Sequence, residues 1–515
     1  MNKFIYKPDA ATVSTKYGRV RGYYYNGNYI FKGIPYAKAK RFRAPVEPDP
    51  WDGVRNATNY GFVSPLLHYE KPETELLIPH QYWIEDEDCQ NLNIWTPDLN
   101  PDELKPVFVW IHGGGFSDGS SIEAPFYEGS SLTKTADCVV VSINHRLNIF
   151  GYLDLSDFGS EYYNSGNSGM MDIIASLKWI KENIENFGGD KNCVTICGQS
   201  GGGGKVTALL QMPAADGLYQ RAIIMSGEVA LHDAEITQSS KQCVETMMEY
   251  LGISDVHVLD TISRHVLIEA YNHVAPGLAA KGLSICCMPT RNKEFTGNPL
   301  RTGWRKESLV PLIMGSVLGE FSCFSSQGID RSKISEEEGK NIICDRLGKG
   351  DAEKIIKAFK EAYPYRNPVD ILFTDWLFRK PTTEHAKLRA KTGGKVYTYM
   401  FEVDFPVDGG KTPWHSSDIS FVMHKTDTVP SQDSDKNATI ADRISKHLAA
   451  FMRTGDPNFG ETPEWMPVSA DSEPTMIIGD TFRVARDFDR EFIRLSEEFA
   501  ERLGNGAIVH SFSSK

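Results

Sequence analysis

Val194-Thr195-Ile196-Cys197-Gly198-Gln199-Ser200-Gly201-Gly202-Gly203-Gly204 is the stretch whose reading decides the fold. An apolar, β-type run stops abruptly at glycines that flank one serine, which reads as strand, sharp turn, helix. The spacing Gly198-x-Ser200-x-Gly202 is that of a nucleophile elbow. There the serine occupies a strained turn and the glycines leave room for strand and helix backbones to approach. Ser200 Oγ would then project above the sheet. Such triplets also arise by chance, and a glycine-rich turn after a strand is often only a loop, so the surrounding chain must decide.

Composition narrows the field. The 515 residues carry 55 Lys plus Arg against 68 Asp plus Glu, a formal charge of −13, and no basic run or aromatic-basic stripe. Nucleic acid is therefore excluded as an expected partner, because phosphate binding needs a basic surface. With 41% hydrophobic residues the chain can bury one large core, and a single domain over 1–515 is expected. No segment reaches the roughly 18 to 20 apolar residues of a membrane span. Residues 1–9 lack the apolar core of a secretory signal, so a cytoplasmic location is expected. Nine cysteines without C-x-x-C spacing read as reduced thiols rather than as a disulfide or zinc framework. The sequons at Asn56 and Asn437 carry no weight without a signal peptide.

Taken in order, the chain predicts an N-terminal antiparallel meander over about 12–34, with Asn26-Gly27-Asn28 as a turn and Pro35 ending its last strand. Residues 59–88 show no period and read as a long excursion forming part of a rim over the site. Strands follow at 92–96, 107–111 and 139–143. The last two are nearly continuous apolar runs, as strands buried on both faces must be. Helical spacing runs from Met170 to Asn186, ended by Phe187-Gly188-Gly189-Asp190. Further strands are expected at 222–225, 309–314 and 396–401. Helical stretches at 236–300 and 333–391 read as insertions that cap the sheet and shape a pocket, and amphipathic helices are expected at 440–453 and 490–502. Alternating strands and helices give an α/β class with a large, mostly parallel central sheet covered by helices.

A serine hydroxyl is a poor nucleophile at neutral pH. It needs an imidazole to take its proton, a carboxylate to hold that imidazole, and donors for the developing oxyanion. Val109-Trp110-Ile111-His112-Gly113-Gly114-Gly115-Phe116 offers such donors, since a strand runs into three glycines with bare backbone N–H groups. By itself that segment could equally be a flexible turn.

Several motifs in a fixed order then carry a resemblance over most of the chain. They are Phe31 to Ala37, Glu87-Asp88-Cys89, His112 to Phe116, Asn144-His145-Arg146-Leu147, Asn164 to Asp172, Phe187 to Asp190, the elbow, Arg221-Ala222-Ile223 with Ser226-Gly227, and Thr454 to Asn458. The chain resembles the type-B carboxylesterases, the cholinesterase-like and para-nitrobenzyl-esterase-like branch of the α/β-hydrolase fold. The resemblance implies Ser200 as nucleophile and Gly114, Gly115 and Gly201 as the oxyanion hole. It implies Glu320, five residues after Gly315, as the acid, although Phe321 stands where the family usually has glycine. His415, within Trp414-His415-Ser416-Ser417-Asp418, is implied as the base, with His424 as nearest competitor. Phe116 and Gln199 are expected to border the substrate pocket, and His112 to support its loop. Arg41 with Glu87 and Arg146 with Asp172 resemble buried ion pairs that pin loops to the sheet.

Two departures bear on chemistry. Gln199 stands where the family commonly has glutamate, removing a negative charge beside the nucleophile, and Gly201 replaces the usual alanine while keeping its backbone N–H. The implied reaction is hydrolysis of a small-molecule carboxylic ester through a Ser-His-Glu triad and an acyl-enzyme, with no cofactor and no metal. Other acyl transfers on the same site (amide, carbamate, transesterification) stay open, as does a binding protein of the same fold. The oligomeric state is not encoded legibly.

Overall fold

The computed structural model describes residues 11–68, 77–100, 102–228, 236–283, 288–324 and 328–504. Its strands, in chain order, are β1 (Thr12–Thr15), β2 (Gly18–Arg21), β3 (Tyr23–Tyr25), β4 (Asn28–Pro35), β5 (Val54–Asn56), β6 (Asn91–Thr96), β7 (Lys105–Ile111), β8 (Val139–Ile143), β9 (Gly189–Gln199), β10 (Arg221–Met225), β11 (Leu312–Val317), β12 (Val396–Phe401), β13 (Pro474–Ile478) and β14 (Arg483–Arg486).

Successive side chains of a strand face opposite sides of its sheet, so the apolar runs of β7 and β8 require cover on both. In β7, Val107, Val109 and Ile111 join one hydrophobic cluster while Phe108 and Trp110 join another. The helix Ser168–Asn183 covers the first face through Ile173, Leu177 and Ile180. The helix Asp435–Thr454 covers the second through Ile440, Ile444, Leu448 and Phe451. A third cluster joins Met400 of β12 and Ile477 of β13 to the helices Lys349–Ala362 and Arg490–Glu498.

The result is the α/β-hydrolase architecture. Eleven strands form one sheet in the order β14-β13-β12-β11-β10-β9-β7-β8-β6-β4-β3, parallel from β8 to β13 and antiparallel towards both edges. Among the described residues no helix is long and apolar enough to cross a membrane.

Three expectations change. The N-terminal meander is split between two sheets: β3 and β4 form a hairpin on the large sheet through Asn26 and Gly27, both at positive φ, whereas β1 and β2 pair with β5 in a separate three-stranded sheet. The strand expected at 309–314 begins only at Leu312, after Pro311. The carbonyls of Ser308 and Val310 are bound instead by the buried Arg389 guanidinium. The helix Arg379–Lys391, expected within a cap, packs against β11 and β12 themselves and buries His385, Ala386 and Arg389. The expected excursion at 59–88 falls partly outside the described residues, at 69–76.

Both expected ion pairs form. Arg146 binds Asp172 through Nε at 2.8 Å and Nη2 at 2.7 Å, with both side chains buried, while its Nη1 donates to the carbonyls of Lys40 and Arg43. One guanidinium thus ties the N-terminal loop to the helix after β8. Arg41 and Glu87 form the second, bidentate pair. Removing one partner of the buried Arg146–Asp172 pair leaves an uncompensated charge and typically costs about 3 to 5 kcal/mol, while the half-buried Arg41–Glu87 pair is worth less.

Candidate active site

β9 runs straight into the helix Gly201–Leu209, and Ser200 sits between them at φ 57°, ψ −128°. Such backbone conformations cost a non-glycine residue about 1 to 3 kcal/mol and persist only where the surroundings impose them. Here they do. A Cβ on Gly198 would lie 2.3 Å from the Gly202 carbonyl carbon, and one on Gly202 would lie 2.1 Å from the Ile111 oxygen. The G-x-S-x-G spacing is therefore the condition for the helix start to rest against the end of β7.

Glu320 follows β11, has φ 40° and is fully buried. Its Oε1 accepts from Ser226 Oγ at 2.6 Å and from the Val317 N–H at 2.9 Å, and its Oε2 forms a short hydrogen bond with His415 Nδ1. The His415 N–H also donates to the Glu320 carbonyl, at 3.1 Å. With the Nδ1 proton directed to that carboxylate, the Nε2 lone pair is left to accept from the amide nitrogen it faces. That lone pair faces the elbow. The Gln199 amide donates to it at 3.2 Å, and Ser200 Oγ has no hydrogen-bond partner among the described residues. Gln199, expected to border the pocket, thus has its side-chain amide on His415 Nε2. His424, the competing histidine, pairs with Asp442 instead.

The surroundings of the pair are aromatic on one side and acidic on the other. Phe321 stacks on the His415 ring with centroids 4.4 Å apart, and Phe378 lies 5.0 Å away. In the sequence Phe321 stands out only as a departure from glycine, and its place directly after Glu320 is the one signal of this contact. Burial pushes the Asp418 carboxyl up to about 7 and the Glu228 carboxyl up to about 8, and the charge of Glu320 adds to both shifts. Tyr399 donates its hydroxyl to Asp418 at 2.8 Å. Asp375 is also raised well above the usual carboxylate range by burial and by Glu320.

The glycine loop follows β7. Gly114 and Gly115 have φ 80° and 62°. The Gly113 carbonyl accepts from His112 Nδ1 at 3.0 Å, and the Gly114 carbonyl accepts from the N–H groups of Ser117 at 3.2 Å and Asp118 at 2.9 Å. His112 therefore supports its loop, as expected. The N–H groups of Gly114 and Gly115 have no acceptor among the described residues. That of Gly201 is one of the unpaired donors of a first helical turn. A Cβ on Gly201 would lie 2.0 Å from the Gly115 oxygen and 2.3 Å from its Cα, so the loop occupies the space that any larger side chain would need. Phe116, directly after Gly115, has a buried ring set edge-on against Tyr152 at 5.2 Å.

An elbow serine, a buried glutamate–histidine pair and a loop of bare N–H groups thus gather at the carboxyl ends of β7, β9 and β11, where ligands bind in open α/β sheets. The family model described as the carboxylesterase family matches residues 9–495. The chain belongs to this family. It is 32% identical over 499 residues to the para-nitrobenzyl esterase of Bacillus subtilis (strain 168), covering 93% of this chain and 97% of that protein. Among solved structures it is similar to an esterase from anaerobic Clostridium hathewayi, described as able to hydrolyse aliphatic aromatic polyesters. That likeness has a TM-score of 0.93 and 42% identity, covering 97% of this chain and all of the other. A thermophilic PNB esterase follows at TM-score 0.75 and 30% identity, over 94% of this chain and 99% of that one. The chain is a carboxylic ester hydrolase.

Two substitutions probe the contacts particular to this member. Gly201→Ala forces the loop away from the helix start, and kcat for para-nitrophenyl acetate is expected to fall about 10²-fold, the scale on which loss of a single hydrogen-bond donor slows serine hydrolases. An alanine variant with unchanged kcat would contradict the tight packing. Gln199→Glu replaces the amide donor with an anion that favours the imidazolium. The acid limb of the kcat/KM profile should then move to higher pH, and cationic esters should gain on neutral ones; an unchanged profile and preference would refute this.

Proposed function

We propose that the chain is a serine carboxylesterase in which Ser200 is the nucleophile, His415 the general base and acid, and Glu320 the group that holds the imidazole. For attack, the Gln199 amide yields Nε2 to the serine. As Ser200 Oγ bonds to the ester carbonyl carbon, His415 Nε2 takes its proton. The tetrahedral oxyanion rests on the N–H groups of Gly114, Gly115 and Gly201. The bond to the alcohol oxygen then breaks, and His415 returns the proton to that oxygen. Water, deprotonated by the same nitrogen, attacks the acyl-enzyme, and the acid leaves as Ser200 regains its proton. Glu320 offsets the imidazolium charge in both halves, fixed by Ser226 and Val317.

One observation carries this reading: a single imidazole spans Glu320 on Nδ1 and the Gln199–Ser200 elbow on Nε2. The substrate is a small-molecule ester. Similarity to the polyester-hydrolysing Clostridium hathewayi enzyme makes an aromatic diester a sensible member of any test series. The seven described cysteines are all free thiols, which supports a reducing, cytoplasmic setting.

The test is hydrolysis of para-nitrophenyl esters from acetate to long chains, with a bis-ester of an aromatic diacid, by wild type and Ser200→Ala. Loss of the nucleophile alone costs about 10⁶-fold in kcat in well-studied serine hydrolases, and a loss of that order is expected for every ester. A folded Ser200→Ala protein that kept more than about a tenth of wild-type turnover would refute the assignment, since catalysis by the oxyanion hole alone is far weaker.

A further inference from the structure

The helix Gly201–Leu209 carries one charged side chain, Lys205, and that side chain is wholly buried. Lysine is almost never fully buried without a partner carboxylate, yet Lys205 forms no ion pair among the described residues. Glu123 and Asp118 act on it from longer range, and Glu123 pairs with His80 at 3.7 Å. The Lys205 Nζ donates instead to two backbone carbonyls, those of His112 at 3.1 Å and Gly113 at 3.4 Å. It also lies 5.6 Å from the centre of the Phe116 ring. His112 and the stacked His145 are held neutral by burial, with the Lys205 charge acting in the same direction. Packing alone would favour an aliphatic side chain here, because burying an ammonium costs several kcal/mol.

The two carbonyls explain the lysine. The described backbone has no cis peptide bond, and a trans peptide holds its C=O and N–H on opposite sides. With the Gly113 carbonyl drawn onto Lys205 Nζ and His112 Nδ1, the Gly114 N–H faces away from the lysine. With the Gly114 carbonyl taken by Ser117 and Asp118, the Gly115 N–H is fixed in the same manner. A run of three glycines has no Cβ to bias its peptide planes, so a tied carbonyl is what keeps each N–H from turning. We propose that Lys205 is a positioning residue for ester hydrolysis, anchoring the His112 and Gly113 carbonyls so that the Gly114 N–H is presented to the tetrahedral oxyanion. This rests on the reading of Gly114 and Gly115 as oxyanion donors. Burial pulls the Lys205 ammonium down to about 7, and a neutral amine keeps two N–H groups, one for each carbonyl, so the anchor survives deprotonation.

Lys205→Met matches the side chain in length and removes the donor; Lys205→Gln keeps an amide donor. Both are compared with wild type and Ser200→Ala in kcat and KM for para-nitrophenyl acetate, and in the affinity of an aryl trifluoromethyl ketone, whose serine adduct carries an oxyanion. Near-ultraviolet circular dichroism monitors folding. Lys205→Met should lose about 10²-fold in kcat, the scale of one oxyanion donor, with KM little changed and ketone affinity falling in parallel. Lys205→Gln should recover part of both. If Lys205→Met does not fold, the parallel loss is read from Lys205→Gln. A folded variant with wild-type kcat and ketone affinity would overturn the proposal, as would a kcat loss with ketone affinity intact. A ketone that bound wild type and Ser200→Ala alike would instead bring down the underlying triad reading. Serine-dependent binding that neither lysine variant weakens brings down the lysine assignment alone.

Discussion

The closest constraint in the molecule is the approach of bare backbone around Ser200. The Ile111 carbonyl, the start of the helix Gly201–Leu209 and Gly115 lie where Cβ atoms would otherwise stand on Gly202, Gly198 and Gly201. From Gly198 to Gly204 the only side chains are those of Gln199 and Ser200. The strained backbone of Ser200 is therefore imposed by three neighbouring segments at once, which is how a conformation costing about 1 to 3 kcal/mol persists in a folded chain. Strand, elbow, helix and glycine loop form a single packing unit.

The remaining geometry follows from that unit's place in the sheet. β7, β9, β10 and β11 are adjacent and parallel, so their carboxyl ends deliver the glycine loop, Ser200, Ser226 and Glu320 to one edge. Glu320 is fully buried yet saturated with donors, from Ser226, Val317 and His415. Its charge discourages ionisation of the buried Asp418, Glu228 and Asp375 nearby, which limits how much negative charge collects around one imidazole. Phe321 and Phe378 cover the ring with apolar surface, and a drier setting strengthens every electrostatic contact within it.

Much of this was legible in the chain because it depends on local rules. The nearly continuous apolar run marked β8 at 139–143, and the expected strand at 396–401 matches β12 at both ends. Asn26-Gly27 marked the hairpin, and the glycines around Ser200 marked the elbow. What stayed hidden depends on distant partners. β5, β13 and β14 are short, three to five residues, and acquire strand character from their neighbours. The run at 309–314 was misplaced because Arg389, far along the chain, takes carbonyls that a ladder would use. Lys205 looks like an ordinary exposed helix lysine until the four preceding glycines bring its helix under the glycine loop that follows β7. Gln199 was read for the charge it lacks, whereas the structure shows the hydrogen bond it makes.

The central claim is that the acyl group passes through Ser200. The most direct measurement is rapid-quench mass spectrometry of the wild-type protein turning over a para-nitrophenyl ester, followed by peptide mapping. The account predicts a transient mass increase equal to the acyl group, confined to the peptide that contains Ser200. Turnover with no acylated protein at any quench time, or with the acyl group on a different residue, would contradict it.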